Sequence, residues 1–136
     1  MKAIIIKGKS ESGKTSVINY IHKCLLNKGA EPFEGKEKEQ VGKNAEDFKH
    51  ILTFLNITIA FYSAGDLPKQ IQSAKLWGKK SDILICACND VNIKEIEKIK
   101  RMYNPVHEFS MDNPDNKEFK DLSEELLTVI LEIIIN

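Results

Sequence analysis

A chain of 136 residues can bury one hydrophobic core of its own and leaves no room for a second catalytic domain. Its 20 basic and 20 acidic residues cancel, so the overall charge gives no reason to expect a nucleic acid or an anionic membrane as the main partner. The three cysteines, Cys24, Cys86 and Cys88, are odd in number and lack the paired spacing of a zinc site, which suits a reducing cytoplasm. No signal-peptide pattern opens the sequence. The apolar stretch at residues 126–135, broken by Glu132, is about half the length of a membrane span, so a cytoplasmic protein is expected.

The first element predicted is a strand at the apolar residues 3–6. Directly after it comes Gly8-Lys9-Ser10-Glu11-Ser12-Gly13-Lys14-Thr15, which meets every fixed position of the phosphate-binding pattern Gly, four residues, Gly-Lys-Ser/Thr. Ile18, Ile21 and Leu25 then recur at helical spacing, and Gly29 supplies a stop. A strand that enters a glycine-rich turn and leaves as a helix aims backbone N–H groups and the positive end of the helix dipole at one point. Gly8 and Gly13 permit the close turns, with Lys9, Ser10, Glu11, Ser12 and Ser16 as further candidate phosphate contacts. Lys14 can bridge the β- and γ-phosphates as the catalytic cation, and Thr15 can offer its hydroxyl to Mg²⁺.

Residues 30–47 are charged, contain glycine and lack apolar periodicity. They predict a long mobile loop, either a plain solvated one or a lid that responds to nucleotide. Residues 48–54 and 57–62 are β-rich and separated by Leu55-Asn56, which predicts an antiparallel hairpin even though Leu55 is a poor turn residue. Pro68 suits a first helical turn, Leu67, Ile71 and Ala74 mark one face of the helix, and Gly78 ends it. Residues 83–88 form a continuous apolar run, as in a strand buried on both faces, with Cys86 and Cys88 on the same side. Ile93, Ile96, Ile99 and Tyr103 trace another helix, and residues 106–111 a short strand. Phe119, Leu122, Leu126, Ile130 and Ile133 give the last helix its inward face. The alternation predicts a single α/β domain over residues 1–136. Its layout is a three-layer α/β/α sandwich with a mostly parallel sheet of about five strands plus one antiparallel hairpin strand.

On these residues the chain is identified as a member of the P-loop NTPase superfamily, and its order of elements resembles that of Ras-like GTPases across almost the whole length. In that family the strand after the hairpin ends in Asp-x-x-Gly, whose aspartate holds Mg²⁺ through water and whose glycine contacts the γ-phosphate. Here the matching stretch is Tyr62-Ser63-Ala64-Gly65, so the resemblance assigns Gly65 to the phosphates and puts Tyr62 where the acid stood. Asp66 falls at the water-positioning residue, which implies a catalytic role with water or with the metal. As a residue type it equally suits a helix N-cap ahead of Pro68. The guanine-reading motif Asn-Lys-x-Asp falls at Ala87-Cys88-Asn89-Asp90, where only Asp90 agrees, so Asn89 and Asp90 are candidate nucleotide contacts and both ATP and GTP remain open. After the last strand, Phe109-Ser110-Met111-Asp112 matches the family's Ser-Ala-Lys only at Ser110, and no threonine lies between Thr15 and Thr53 to complete a magnesium shell. Lys9 stands where partitioning-type ATPases carry a signature lysine, but the Gly-Lys-Ser-Glu context differs, and a solvent-facing side chain is the simpler reading.

The expectation is a protein that binds a nucleoside triphosphate with Mg²⁺ and acts as a slow ATPase or GTPase or as a nucleotide-dependent switch. With Arg101 as the single arginine, a charge-neutralising side chain would come from a protein partner or activator. Two alternatives stand beside it. One is a non-hydrolysing nucleotide-binding module. The other is a small-molecule or nucleoside kinase with Asp66 or Asp47 as base.

Overall fold

The apolar run behind Met1 forms strand β1 (Lys2–Gly8), whose side chains alternate between two cores. Ile4 and Ile6 enter one and Ala3 and Ile5 the other, as the period-two geometry of a strand requires. The computed structural model describes residues 1–111 and 116–136, apart from the side chains of residues 116–120 and 122. The described residues are α/β, with a mixed sheet of seven strands and four α-helices.

Behind β1 the 8–15 loop leads into α1 (Lys14–Asn27). Two short strands, β2 (Glu31–Pro32) and β3 (Glu39–Gln40), precede the hairpin β4 (Phe48–Phe54) and β5 (Ile57–Tyr62). Then follow α2 (Pro68–Trp77), β6 (Ile83–Asn89), α3 (Ile93–Met102), β7 (Val106–Met111) and α4 (Asn116–Ile135). The sheet runs β2-β4-β5-β6-β1-β7, with β3 also on β4. Strands β5, β6, β1 and β7 are parallel, whereas β4 is antiparallel to β5, β2 and β3.

One face of the sheet is covered by α1 and α4 through Val17, Ile18, Ile21, Leu25, Leu126, Ile130 and Ile134. The opposite face carries α2 and α3 through Ile71, Ala74, Ile96 and Ile99, with Tyr103, Cys86 and Cys88 in the same cluster. Each isoleucine or leucine buried in this way contributes about 1.5–3 kcal/mol of transfer free energy, which fixes the helices to their faces. Cys86 and Cys88 share a side, as expected, and the three cysteines are free thiols. Among the described residues no helix is long and apolar enough to cross a membrane.

Four expectations need correction. Residues 30–47 are not a structureless loop, because β2, β3 and a 3₁₀ turn at Phe33–Gly35 bring them back onto the edge of β4. The sheet accordingly has seven strands, where about five plus one hairpin strand were expected, and three of its pairings are antiparallel. Leu67 and Ile93 start their helices facing solvent at 60% and 67% exposure, so each apolar face begins one turn later. In α4 the inward residue of the last turn is Ile134, with Ile133 only partly buried; the side chains of Phe119 and Leu122, also expected inward, lie outside the described residues. The hairpin turn is as predicted. Leu55 (φ 52°) and Asn56 (φ 65°) both take the left-handed conformation that a two-residue hairpin demands, and Leu55 does so at a steric cost.

Candidate functional site

The carboxyl ends of β1, β5 and β6 meet at one edge of the parallel sheet, where ligands of open α/β sheets bind. Gly8 ends β1 and is buried; a Cβ there would strike the Ser12 hydroxyl and crowd Met111. Gly13, at φ 98°, turns the chain into α1 and leaves the helix N-terminus with no side-chain cap. The first intrahelical bond runs from Val17 N to Gly13 O at 3.0 Å, so the preceding N–H groups of the helix keep their donors for another partner. Ser12 is buried, and its Oγ has no hydrogen-bond partner among the described residues. An orphaned buried hydroxyl is costly unless something satisfies it, and here it belongs to the same loop as the uncapped helix end.

Lys14 is 5% exposed, and its ammonium donates to Lys9 O at 2.6 Å and pairs with Asp66 at 3.3 Å. A buried cation needs a counter-charge. The Asp66 carboxylate that supplies it is half exposed, so the pair lies at the mouth of the site. Asp66 is positioned from α2 and α3. Gln70 Oε1 accepts from both Asp66 N and Leu67 N at 3.0 Å, and Asn92 Nδ2 donates to Asp66 O at 3.1 Å. The N-cap of α2 is Leu67, which leaves Asp66 one residue outside the helix rather than capping it.

Thr15 projects from the first turn of α1 toward the segment ahead of β4. Its Oγ1 donates to Asp47 Oδ1 at 3.0 Å and lies 3.4 Å from Ser63 O. Ser63 Oγ joins them, donating to Asp47 Oδ1 at 3.3 Å while accepting from Phe48 N at 2.8 Å. Asn19, one turn after Thr15, donates to Thr15 O and to Glu46 O, which anchors the 44–47 turn against α1. The resulting cavity of about 260 Å³ is lined by Glu11, Gly13, Lys14, Thr15 and Ser16 from one side and Asn44, Glu46, Asp47 and residues 63–66 from the other.

The structure thus brings most of the expected site residues to one cavity. Lys9 and Ser10 are exposed on the outside of the loop. Asn89 and Asp90 do not line the cavity; they brace the loop from behind, through Asn89 Nδ2 to Ser10 Oγ at 3.2 Å and Asp90 N to Gly8 O at 3.2 Å. Gly65 lines it, but its lack of a side chain is already required by packing, since a Cβ would overlap the Ala87 carbonyl of β6. Tyr62 is buried among α2 and α3 and faces away from Thr15. Of the 109–112 stretch, Ser110 is exposed near the end of β7, and Asp112 lies outside the described residues.

Three contributors escaped the sequence reading as site residues. Ser63 and Asn19 carry no signature, and Asp47 entered only as a candidate base. A larger cavity, about 770 Å³, lies elsewhere, along the edge of β4 between the 33–39 arch and Trp77. Size alone does not make it the anion site. Its walls mix lysines with Glu34, Glu37 and Glu39, whereas the smaller cavity combines a helix N-terminus with a buried lysine.

Next to that arch, two buried histidines form a second polar cluster. His50 Nε2 lies 2.7 Å from Lys36 O, and His50 Nδ1 lies 2.9 Å from His22 Nε2. A carbonyl only accepts, so His50 carries its proton on Nε2, and His22 donates to His50 Nδ1. Burial pushes the His22 imidazole down to about 4, with further lowering from His50 and Lys38.

No protein-family model matches the chain, and no curated protein or solved structure gives a match. The geometry of the site is therefore what bears on function.

Proposed function

We propose that the protein binds a nucleoside triphosphate, ATP or GTP, at the 8–15 loop with Mg²⁺, and works as a slow NTP hydrolase or nucleotide-dependent switch on a three-layer α/β/α phosphate-loop fold. The observation that carries this reading is the coincidence of an uncapped helix N-terminus, a buried lysine and an unpartnered buried hydroxyl within eight residues. All three favour one ligand, a polyphosphate anion.

The chain's own groups divide the work. Backbone N–H groups at Gly13, Lys14 and Thr15 take the phosphate oxygens, and Lys14 exchanges its contact with Asp66 for the β- and γ-phosphates. Released from Lys14, the half-exposed Asp66 carboxylate stands at the mouth of the site, where it orients the attacking water. Mg²⁺ suits the oxygen-only donors around Thr15, and when bound it neutralises the charge spread over the transferring phosphoryl group. Arg101 is exposed in the last turn of α3, outside this cavity, so a further positive charge would come from a partner protein.

Calorimetric titration with ATP and with GTP, each with and without Mg²⁺, tests the reading. The wild type should bind at least one of them, and Lys14→Ala should weaken that binding by a hundredfold or so, the scale expected for losing one buried charge-assisted contact of roughly 3 kcal/mol. Equal binding by both proteins would remove the phosphate-loop assignment. Phosphate release at the Lys14→Ala rate, with binding intact in the wild type, would reduce the protein to a non-hydrolysing nucleotide-binding module.

A further inference from the structure

We propose that Asp47, and not Asp66, is the protein carboxylate that holds the divalent cation with Thr15. The inference rests on the triphosphate reading above and deepens it by naming the metal's acid, which the sequence pattern leaves unassigned once Tyr62 is seen to face the α2 and α3 core.

The two acids differ in how their charge is already balanced. Asp66 has a cation, the Lys14 ammonium at 3.3 Å. Asp47 has none: among the described residues no lysine, arginine or histidine forms an ion pair with it, although it is only partly exposed. A carboxylate in that setting is stabilised by a positive charge, and its hydrogen-bond partners among the described residues are hydroxyls. The Thr15 hydroxyl is at 3.0 Å and the Ser63 hydroxyl at 3.3 Å, both on Oδ1. The Thr15 hydroxyl also lies 3.4 Å from the Ser63 carbonyl, so its single proton has two acceptors in reach. This is the hard, oxygen-only surrounding that Mg²⁺ takes, with one or two carboxylates and the remaining positions left to water and phosphate.

The carboxylate is also held in place before any ligand arrives. Asn44 shapes the turn through Glu46 N to Asn44 Oδ1 at 2.9 Å and Asp47 N to Asn44 O at 3.1 Å. Val41 N to Asp47 O at 3.0 Å closes it onto the β3 side, and Asn19 ties it to α1 through Glu46 O at 3.1 Å. The backbone that carries Asp47 is thus braced from three directions, and a ligand held this way costs little ordering entropy on binding.

The test compares Asp47→Asn with Asp66→Asn by two readouts that need no turnover: the Mg²⁺-dependent gain in affinity for the tighter-binding purine triphosphate, and Mn²⁺ binding followed by electron paramagnetic resonance in the presence of that nucleotide. Asp47→Asn should lose the metal-dependent gain by about tenfold or more, keep its metal-free nucleotide affinity, and leave Mn²⁺ free. Asp66→Asn should keep the gain. Asp47→Cys is the second variant, in which Cd²⁺, but not Mg²⁺, should restore the gain because the thiolate is a soft ligand. Retention of the full Mg²⁺ gain by Asp47→Asn, or its loss in Asp66→Asn alone, overturns the assignment while leaving nucleotide binding intact. A wild type that binds no triphosphate under any condition overturns the phosphate-loop reading and this inference with it.

Discussion

The segment between α1 and β4 is fastened at two places, and the two fastenings use opposite chemistry. At its end, Asp47 meets the hydroxyls of Thr15 and Ser63 at the rim of a cavity. At its middle, the Lys36 carbonyl meets His50, which is backed by the buried His22. The oxygen clamp is partly exposed, and each member has lone pairs that another partner can take. The histidine clamp is closed, since the two rings and one carbonyl account for the two bonds that join them. Hydroxyls and a carboxylate can trade a protein contact for a bound cation or anion with little change of shape. Two imidazole rings buried against each other and a carbonyl offer no such exchange, but a ring nitrogen can take up a proton. One segment thus carries two tethers, one joining partners 14 residues apart at Lys36 and His50 and the other joining partners 32 apart at Thr15 and Asp47.

The largest perturbation should come from the residue that serves both. Phe48 follows Asp47, gives its N–H to Ser63 Oγ, and packs its ring against His22 with centroids 4.9 Å apart. Phe48→Ala should lower stability by about 3–5 kcal/mol in urea unfolding, from the lost burial and the cavity left behind. A loss below about 1 kcal/mol would mean that the two clamps are not joined through the core.

Acid should weaken the histidine clamp by placing a charge on the buried His22 ring. The folded His22 titrates at about 4, below its ordinary value of 6.5, so the unfolded chain takes up the proton first. Stability is then full above pH 6.5, falls as the pH drops through the window from 6.5 to 4, and levels off below it. The loss should be roughly 1–2 kcal/mol, after allowance for relaxation and water access around the ring. His22→Gln keeps a side-chain N–H donor but cannot titrate, and its unfolding midpoint should lack this share of the acid slope. An identical slope in both proteins would place the titration elsewhere.

The smallest effect is expected where neither clamp is touched. Leu55→Asn replaces a residue strained at φ 52° by one that tolerates the left-handed region, and should stabilise the β4–β5 hairpin by roughly 0.5–1 kcal/mol. Its acid slope and nucleotide affinity should match the wild type, and a change in either would show that the far end of β4 communicates with the clamps.

The contrast between the clamps also explains what could be read in the sequence. Strands β4 and β5 and the turn between them were legible to the residue, because a β-rich run on each side of a two-residue gap leaves few arrangements. The 8–15 loop was legible because its chemistry is local, and so was the lysine inside it. Strands β2 and β3 were hidden. They are two residues long and exposed, so their side chains carry no alternation, and their pairing is decided by the open edge of β4. The partnership of Thr15 with Asp47 spans a segment with no periodic pattern, and nothing in residues 30–47 indicates which acid returns to the loop. The histidines did leave a trace. His22 lies on the same helical stripe as Ile18, Ile21 and Leu25, and His50 alternates with Phe48 and Leu52, so both occupy inward positions. What the pattern could not show is that the two inward rings meet.

The most direct measurement is a map of backbone amide shifts on adding the triphosphate with Mg²⁺. The account predicts that the amides of Gly8, Ser12, Gly13, Lys14 and Thr15 move most, with Asp47, Ser63 and Asp66 following, while His22, Lys36 and His50 stay in place. Undisturbed amides at Gly13, Lys14 and Thr15, or shifts gathered instead around Phe33 and Trp77 in the larger cavity, would contradict it.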